Sequence, residues 1–281
     1  MRVEIRDLTF SFGNLQVLDE INLEVTSRRI AILGQNGSGK TTLLALLCGL
    51  LRPSKGCVLV NGIDPFSNRD EFVSSFSFSF ERPHYPYRFR VKDYVRFLSL
   101  TRGCRETLDT LMDRLQLDKV MEKRVSELSS GEEQFINILN TIGCGPGSLI
   151  LDEPFSRLDA FRSSVLMKYL SADPNIDYIF STHLPEEAEG IGEYFVILGK
   201  GKITWMGDMA SLYRENIYEI YLPDYSDPEL EVIFRYGRIF LVRAERGDLE
   251  RLMSEGKILG YRKAGIRRAY YEATQFHKMV Q

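Results

Sequence analysis

The sequence is poor in several things. Its 281 residues include four cysteines, three histidines and a single tryptophan. Cys48, Cys57, Cys104 and Cys144 stand at spacings that fit no zinc or redox pattern, so reduced thiols are expected and a disulfide framework is not. Neither sign of charge dominates: 36 basic residues face 39 acidic ones, for a net charge of -3. This balance gives nucleic acid no general hold, and only a local patch could bind it. Long apolar runs are also missing. The most apolar stretch, Leu43–Leu51, is about half of the ~20 residues that cross a bilayer. The first residues carry Arg2, Glu4, Arg6 and Asp7, where a leader needs an apolar run. The expectation is a cytoplasmic chain, either soluble or held on the inner face of the membrane by a partner.

What is present is a globular pattern. Hydrophobic residues make up 44% of the chain, enough for a large domain and a smaller one. Val3, Ile5, Leu23 and Val25 lie in alternating segments around Gly13-Asn14, which reads as short strands and a turn. Ile30–Leu33 is wholly apolar, as in a central parallel strand. A glycine loop follows, then an apolar helix from about Thr41 to Leu50. Residues 84–145 show helical periodicity at Val91–Leu100 and Leu108–Leu115, as expected of a helical subdomain inserted in an α/β core. Leu149–Leu151 and Tyr178–Phe180 return to buried-strand character. After Met209 the pattern changes. Ile217–Leu222, Ile239–Val242 and Lys257–Tyr261 read as strands, and Asp248–Ser254 and Ile266–Thr274 as helices. The expected division is a domain over 1–212 and an accessory α+β domain over 213–281.

Three motifs carry chemistry. Gly34-Gln35-Asn36-Gly37-Ser38-Gly39-Lys40-Thr41 fits the P-loop pattern G-x-x-x-x-G-K-[ST]. Its glycines let backbone N–H groups turn inward onto phosphate oxygens, and the following helix adds its positive end. Lys40 would reach the β- and γ-phosphates, and Thr41 would offer a hydroxyl to Mg²⁺. Leu149–Leu151 ends in Asp152 and Glu153. Beside a P-loop, the first acid suits the metal and the second suits general-base work on the attacking water.

The third motif makes a resemblance specific. Leu128-Ser129-Ser130-Gly131-Glu132 resembles the signature motif of ABC ATPases, usually LSGGQ, and Ser129 stands 23 residues before Asp152, as in that family. The same residues also read as a helix N-cap, with Ser129 or Ser130 complemented by Glu132 or Glu133. Ser156-Arg157-Leu158-Asp159 resembles the family's D-loop, and Ser181-Thr182-His183 its switch histidine. Phe12 matches the aromatic that stacks on adenine, although Phe10 and Phe12 alternate and one could belong to the core. Glu81 lies where the family has its Q-loop glutamine, which makes it a candidate metal contact. The likeness covers about residues 2–208.

The resemblance implies a P-loop NTPase of ABC ATPase type, a mixed sheet with an inserted helical subdomain, plus a small C-terminal α+β domain. It implies ATP and Mg²⁺ held by Gly34 to Thr42 (Lys40, Thr41 and Thr42 included) and Asp152, with Glu81 a further metal candidate. Glu153, His183 and Lys40 would be catalytic. Ser129 and Gly131 would face a partner's nucleotide in a head-to-tail dimer with a second ATPase subunit, identical or not, and Asp159 would be a further nucleotide-binding residue. A separate transmembrane permease subunit would use the work. The segment Phe78–Pro83 resembles the "LPEEP" loop of separate-subunit exporters, and Ala264–Gln275 weakly resembles their tail, so export is expected over import. A basic, aromatic stretch from Arg82 to Arg105, including Arg88, Arg90, Lys92, Arg96, Phe89 and Phe97, reads as a docking patch for that subunit or as a solvated face. A soluble ABC-type machine, such as a cofactor-assembly ATPase, is the rival reading. A sensor with little turnover is a third, because Glu132 and Arg157 depart from the family pattern.

Overall fold

The computed structural model describes residues 1–80, 88–102, 118–143, 147–174, 176–224 and 227–274. A hairpin opens the chain, β1 (Arg2–Phe12) with β2 (Leu15–Thr26), and β4 (Lys55–Val60) pairs on the other side of β1, all antiparallel. These strands are longer than the local pattern suggests. Bulges after Ile5 and Leu8 reset the register, so one sheet continues through breaks in the alternation.

The central sheet has six strands. Their order is β5 (Phe76–Ser79), β6 (Ser148–Leu151), β7 (Asp177–Thr182), β3 (Arg29–Gly34), β8 (Tyr194–Gly199) and β9 (Lys202–Asp208). All neighbours are parallel except β8 and β9, so the sheet is mixed. Side chains alternate between its faces. Ile30, Ile32, Ile150 and Ile179 pack with α1 (Lys40–Leu47) and the three-stranded sheet. Ala31, Leu33, Leu151 and Phe180 pack on the other face, beneath α5 (Ser130–Gly143), α6 (Ala160–Ala172) and α7 (Pro185–Ile191). Both faces are covered, which is why the parallel strands read as unbroken apolar runs. Between β4 and β5 lies α2 (Arg69–Ser75), whose Phe72 stacks on Phe76 with centroids 4.4 Å apart.

The described part of 84–145 is helical: α3 (Val91–Arg102), α4 (Asp118–Met121), a 3₁₀ turn at Val125–Glu127, and α5. Leu108–Leu115 lies outside the described residues, as do Glu81, Cys104 and Cys144. Within the basic stretch, Arg90 and Lys92 both meet Glu122, at 3.2 and 2.8 Å, which offsets part of its charge. Phe89 and Phe97 are exposed. Arg82 and Arg105 lie outside the described residues.

Toward the C-terminus, α8 (Met209–Tyr213) leads to an antiparallel sheet. Its order is β11 (Glu231–Tyr236), β12 (Ile239–Arg243), β10 (Ile217–Tyr221) and β13 (Gly260–Lys263), with α9 (Arg246–Ser254) between β12 and β13 in sequence. The expected strand at Lys257–Tyr261 begins later. Lys257 and Ile258 donate their N–H groups back to Leu252 O, closing the end of α9 before the chain can extend. The last described helix, α10 (Ile266–Thr274), leaves this sheet. Its Ile266, Ala269 and Tyr270 are buried with Ala188 and Ile191 of α7 in the core of the six-stranded sheet.

Candidate functional site

Strand order assembles the site. β6, β7 and β3 are adjacent and parallel, so their C-terminal ends open on one side, where ligands of such sheets sit. Gly34 to Gly39 lead from β3 into α1. Gly39 adopts φ +104°, a left-handed conformation open to glycine and strained for other residues. The turn sends Lys40 back over the loop: Nζ donates to Gly34 O at 2.8 Å and to Gln35 O at 3.4 Å. Ser38 Oγ in the same loop is buried without a hydrogen-bond partner. A buried, unpaired hydroxyl beside a lysine and a helix N-terminus is a donor set that fits a phosphate.

The two acids follow β6. Glu153 is 8% exposed, and each of its oxygens is engaged. Oε1 lies 3.2 Å from Lys40 Nζ, and Oε2 lies 2.9 Å from Nδ1 of His183, just past β7. Asp152 accepts a hydrogen bond from Ser181 Oγ at 2.6 Å and is also bonded to the Thr41 side chain. Burial raises the Asp152 carboxyl above the usual range, and Glu153 adds to this, while the bonds from Ser181 and Thr41 and the charge of Lys40 oppose it. A hydroxyl and one carboxylate suit Mg²⁺, which binds by one or two protein groups plus phosphate and water. No group of three or more His, Cys, Asp or Glu able to hold a metal occurs among the described residues, and an ion carried on a nucleotide does not require one.

The remaining predicted residues lie on other elements. Phe12 is 53% exposed at the end of β1, edge-on to Phe10 with centroids 4.9 Å apart, while Phe10 is 7% exposed. Phe10 belongs to the core, and Phe12 offers a ring to solvent. Thr42 lies in the first turn of α1. Ser129 and Glu132 form a reciprocal capping box at the start of α5, with Ser129 N to Glu132 Oε2 at 2.9 Å and Glu132 N to Ser129 Oγ at 3.3 Å. Lys123 Nζ pairs with Glu132 at 2.8 Å. Although burial pushes the Glu132 carboxyl up, Lys123 and the Ser129 bonds hold it below the usual range. Asp159 caps α6 by accepting from Arg162 N at 2.8 Å. A Cβ on Gly131 would come 2.8 Å from the Arg157 carbonyl oxygen, so the start of α5 lies against the 156–159 loop.

The structure thus groups Lys40, Thr41, Asp152, Glu153 and His183, and sets Ser129, Gly131 and Asp159 on the neighbouring helix starts. It also gives a role to residues that the sequence reading left without one. Ser181 and Gln134 bond the Glu153 peptide. Thr182 donates to Glu187 and accepts from Leu184 N, which pins the turn carrying His183. Burial raises the Glu187 carboxyl, against the Thr182 bond, and the charge of Glu153 adds to the rise. One signal was available for Gln134: with Asn137 it forms an i, i+3 polar pair among Phe135, Ile136 and Ile138.

Residues 18–156 match the family model described as "ABC transporter". The sulfate/thiosulfate import ATP-binding protein CysA of Pseudomonas putida is 32% identical over 228 residues, spanning 76% of this chain and 69% of that protein. The protein of the same name from Bradyrhizobium diazoefficiens is 34% identical over 230 residues, spanning 76% of this chain and 66% of that one. Among solved structures, an ATP-binding subunit of an ABC transporter superposes with a TM-score of 0.68 at 23% identity, covering 76% of this chain and 92% of that one. The ATP-binding cassette MJ0796, dimeric in a post-hydrolysis state with ADP and Pi, gives 0.63 at 20% identity, covering 73% and 98%. At these identities the structural likeness concerns the fold.

Proposed function

This chain belongs to the ATP-binding proteins of ABC transporters, ATPases that bind ATP with Mg²⁺, and from that premise we propose that it works as a head-to-tail dimer powering a separate membrane subunit. The observation that carries the reading is the grouping of Lys40, Glu153 and His183 at the ends of adjacent strands. Glu153 is the general base. Held between two cationic or polar partners, its carboxylate has a fixed direction, as in-line attack by water requires. Lys40 and His183 stabilise charge on the transferred group. A phosphate arriving at the loop competes with Glu153 for Lys40, which frees one carboxylate oxygen for water. Mg²⁺, when bound through Thr41 and Asp152, neutralises phosphate charge. Glu81 is a further metal contact in this reading. Phe12 receives the base.

Ser129, Gly131 and Asp159 complete the partner's site across a two-fold axis, so the dimer closes on two nucleotides and opens when they are hydrolysed. The solved dimer of MJ0796 with ADP and Pi lends this arrangement a precedent of the same fold. Phe89, Phe97 and the basic side chains around them form the docking face for the membrane subunit. We assign export on the Phe78–Pro83 loop and the Ala264–Gln275 tail. The curated relatives are named for import, so ATP-driven transport into inside-out vesicles, export by definition, decides the direction.

The experiment is size-exclusion chromatography with light scattering on Glu153→Gln protein. A monomer that becomes a dimer only with Mg-ATP supports the reading. A persistent monomer that still binds ATP rejects the self-paired dimer.

A further inference from the structure

Glu153 sits in a backbone conformation that side chains rarely adopt, with φ at 47°. Strain of this kind persists only where the surroundings hold it. Here both sides of the residue are held. Its N–H donates to Ser181 Oγ at 2.9 Å, and its carbonyl accepts from Gln134 Nε2 at 3.2 Å, with Pro154 O 3.5 Å from the same amide nitrogen. Ser181 is fully buried and gives its own proton to Asp152 Oδ1. One hydroxyl therefore serves both acids, as acceptor for one and donor to the other. Gln134 is also fully buried. Its amide must point this way, since the opposite flip would set Oε1 against two carbonyl oxygens.

Gln134 lies one turn into α5, the helix that Ser129 caps. A helix is rigid over that distance. A shift of its N-terminus by about half an ångström carries Gln134 with it and takes a 3.2 Å bond beyond useful length. On the same face, Asn137 Nδ2 donates to Phe80 O at 2.7 Å, just past β5, so α5 grips two loops at once.

We propose that Gln134 and Ser181 are positioning residues for Glu153, and that Gln134 makes the signature helix of each subunit set the direction of that subunit's own base. The second half rests on the head-to-tail dimer. There, the Ser129 end of α5 meets the partner's nucleotide, whereas Glu153 serves the nucleotide of its own chain. Gln134, through its bonds to Glu153 O and Pro154 O, then links the two sites: engagement at one aligns the base at the other. The simpler account is that Gln134 only satisfies two buried carbonyls of the turn.

Mixed dimers separate these accounts. Two differently tagged copies are co-purified, one carrying Glu153→Gln, so that a single competent base remains. Gln134→Met, close in volume but lacking the donor, is placed either in the copy with intact Glu153 or in the other. Placed with the intact base, it should lower kcat about 10- to 100-fold, as a small misplacement does, with KM and ATP affinity unchanged within about twofold. Placed opposite, it should change kcat by less than about twofold. Equal losses in both placements, a loss only opposite, or no loss in either overturns the proposal. Ser181→Ala in the same two placements must give the same one-sided loss, and it carries the test if Gln134→Met does not fold. Should Glu153→Gln protein never dimerise with Mg-ATP, the coupling half falls with the dimer. The positioning half is then decided on unmixed Gln134→Met, where it requires a fall in kcat at constant KM.

Discussion

Single atoms decide much at the start of α5. Gly131 is helical, and replacing such a glycine by alanine ordinarily gains about 1 kcal/mol of helix propensity. Here the new Cβ would lie 2.8 Å from the Arg157 carbonyl oxygen. A backbone oxygen cannot rotate away, and overpacking of this kind costs about 1–3 kcal/mol. The clash outweighs the propensity, so Gly131→Ala should lower stability, as thermal unfolding would record. Steady-state ATPase should fall about 10- to 100-fold as the 156–159 loop is displaced. A variant as stable and as active as the parent would show that the loop yields freely. At this scale the sequence told much about residue type and less about partners. Lys40, Asp152, Glu153 and His183 were legible because phosphate chemistry restricts what can stand there. Ser181 was not legible as a link between the acids, because nothing in a single sequence says that a strand residue faces the end of its neighbour. The choice between Phe10 and Phe12 also needed packing: alternation separates them but does not say which one points inward.

Elements were legible where burial is uniform along them. β3, β6 and β7 appear as apolar runs because both faces of the sheet are covered. α2 and β5 escaped notice because they are short and join without a break at Ser75 and Phe76, which leaves no turn residue as punctuation. The role of α7 escaped for another reason: its outer face is read only by elements distant in sequence. Arg267 of α10 pairs with Glu186, and a Cβ on Gly265 would meet the Glu189 carboxylate. Half-buried Glu189 has its carboxyl raised by burial. Arg262 of β13 and Arg267 of α10 oppose the rise, and Glu219 of β10 and Glu186 of its own helix add to it. An acid with a raised folded pKa binds its proton more readily folded than unfolded. Stability therefore falls as pH rises from the ordinary value of 4.5 through the folded value, and the whole penalty stands above it. Glu189→Gln removes that penalty. It should raise Tm at pH 7 to 8, with the gain fading as pH is lowered toward 4.5. A gain that is constant with pH, or a loss at neutral pH, would place the effect in packing instead of charge.

At the scale of the molecule, the chain crosses between its two parts twice. It leaves the six-stranded sheet after α8, builds the four-stranded sheet, and returns with α10 to the first core. The return is not visible in composition, because α10 is amphipathic in the ordinary way and its partner face lies on α7. Burial raises the Tyr270 hydroxyl pKa, with Tyr271 and then Glu153 adding to the rise. Two deletions separate what the two segments contribute. Removing residues 265–281 strips Ile266, Ala269 and Tyr270 from the core. At about 1.5–3 kcal/mol for each large buried side chain, Ile266 and Tyr270 alone are worth roughly 3–6 kcal/mol, a large share of the ~5–15 kcal/mol that holds a domain folded. That truncation should lower Tm by more than about 6 °C, at roughly 2–4 °C per kcal/mol for a domain of this size, and impair ATP binding. Replacing 214–264 by a flexible linker that keeps α10 tethered should leave ATP binding within about threefold, since loop length enters closure entropy only logarithmically. If the linker variant fails as badly as the truncation, the four-stranded sheet is itself part of the folding unit, and α10 is only its attachment.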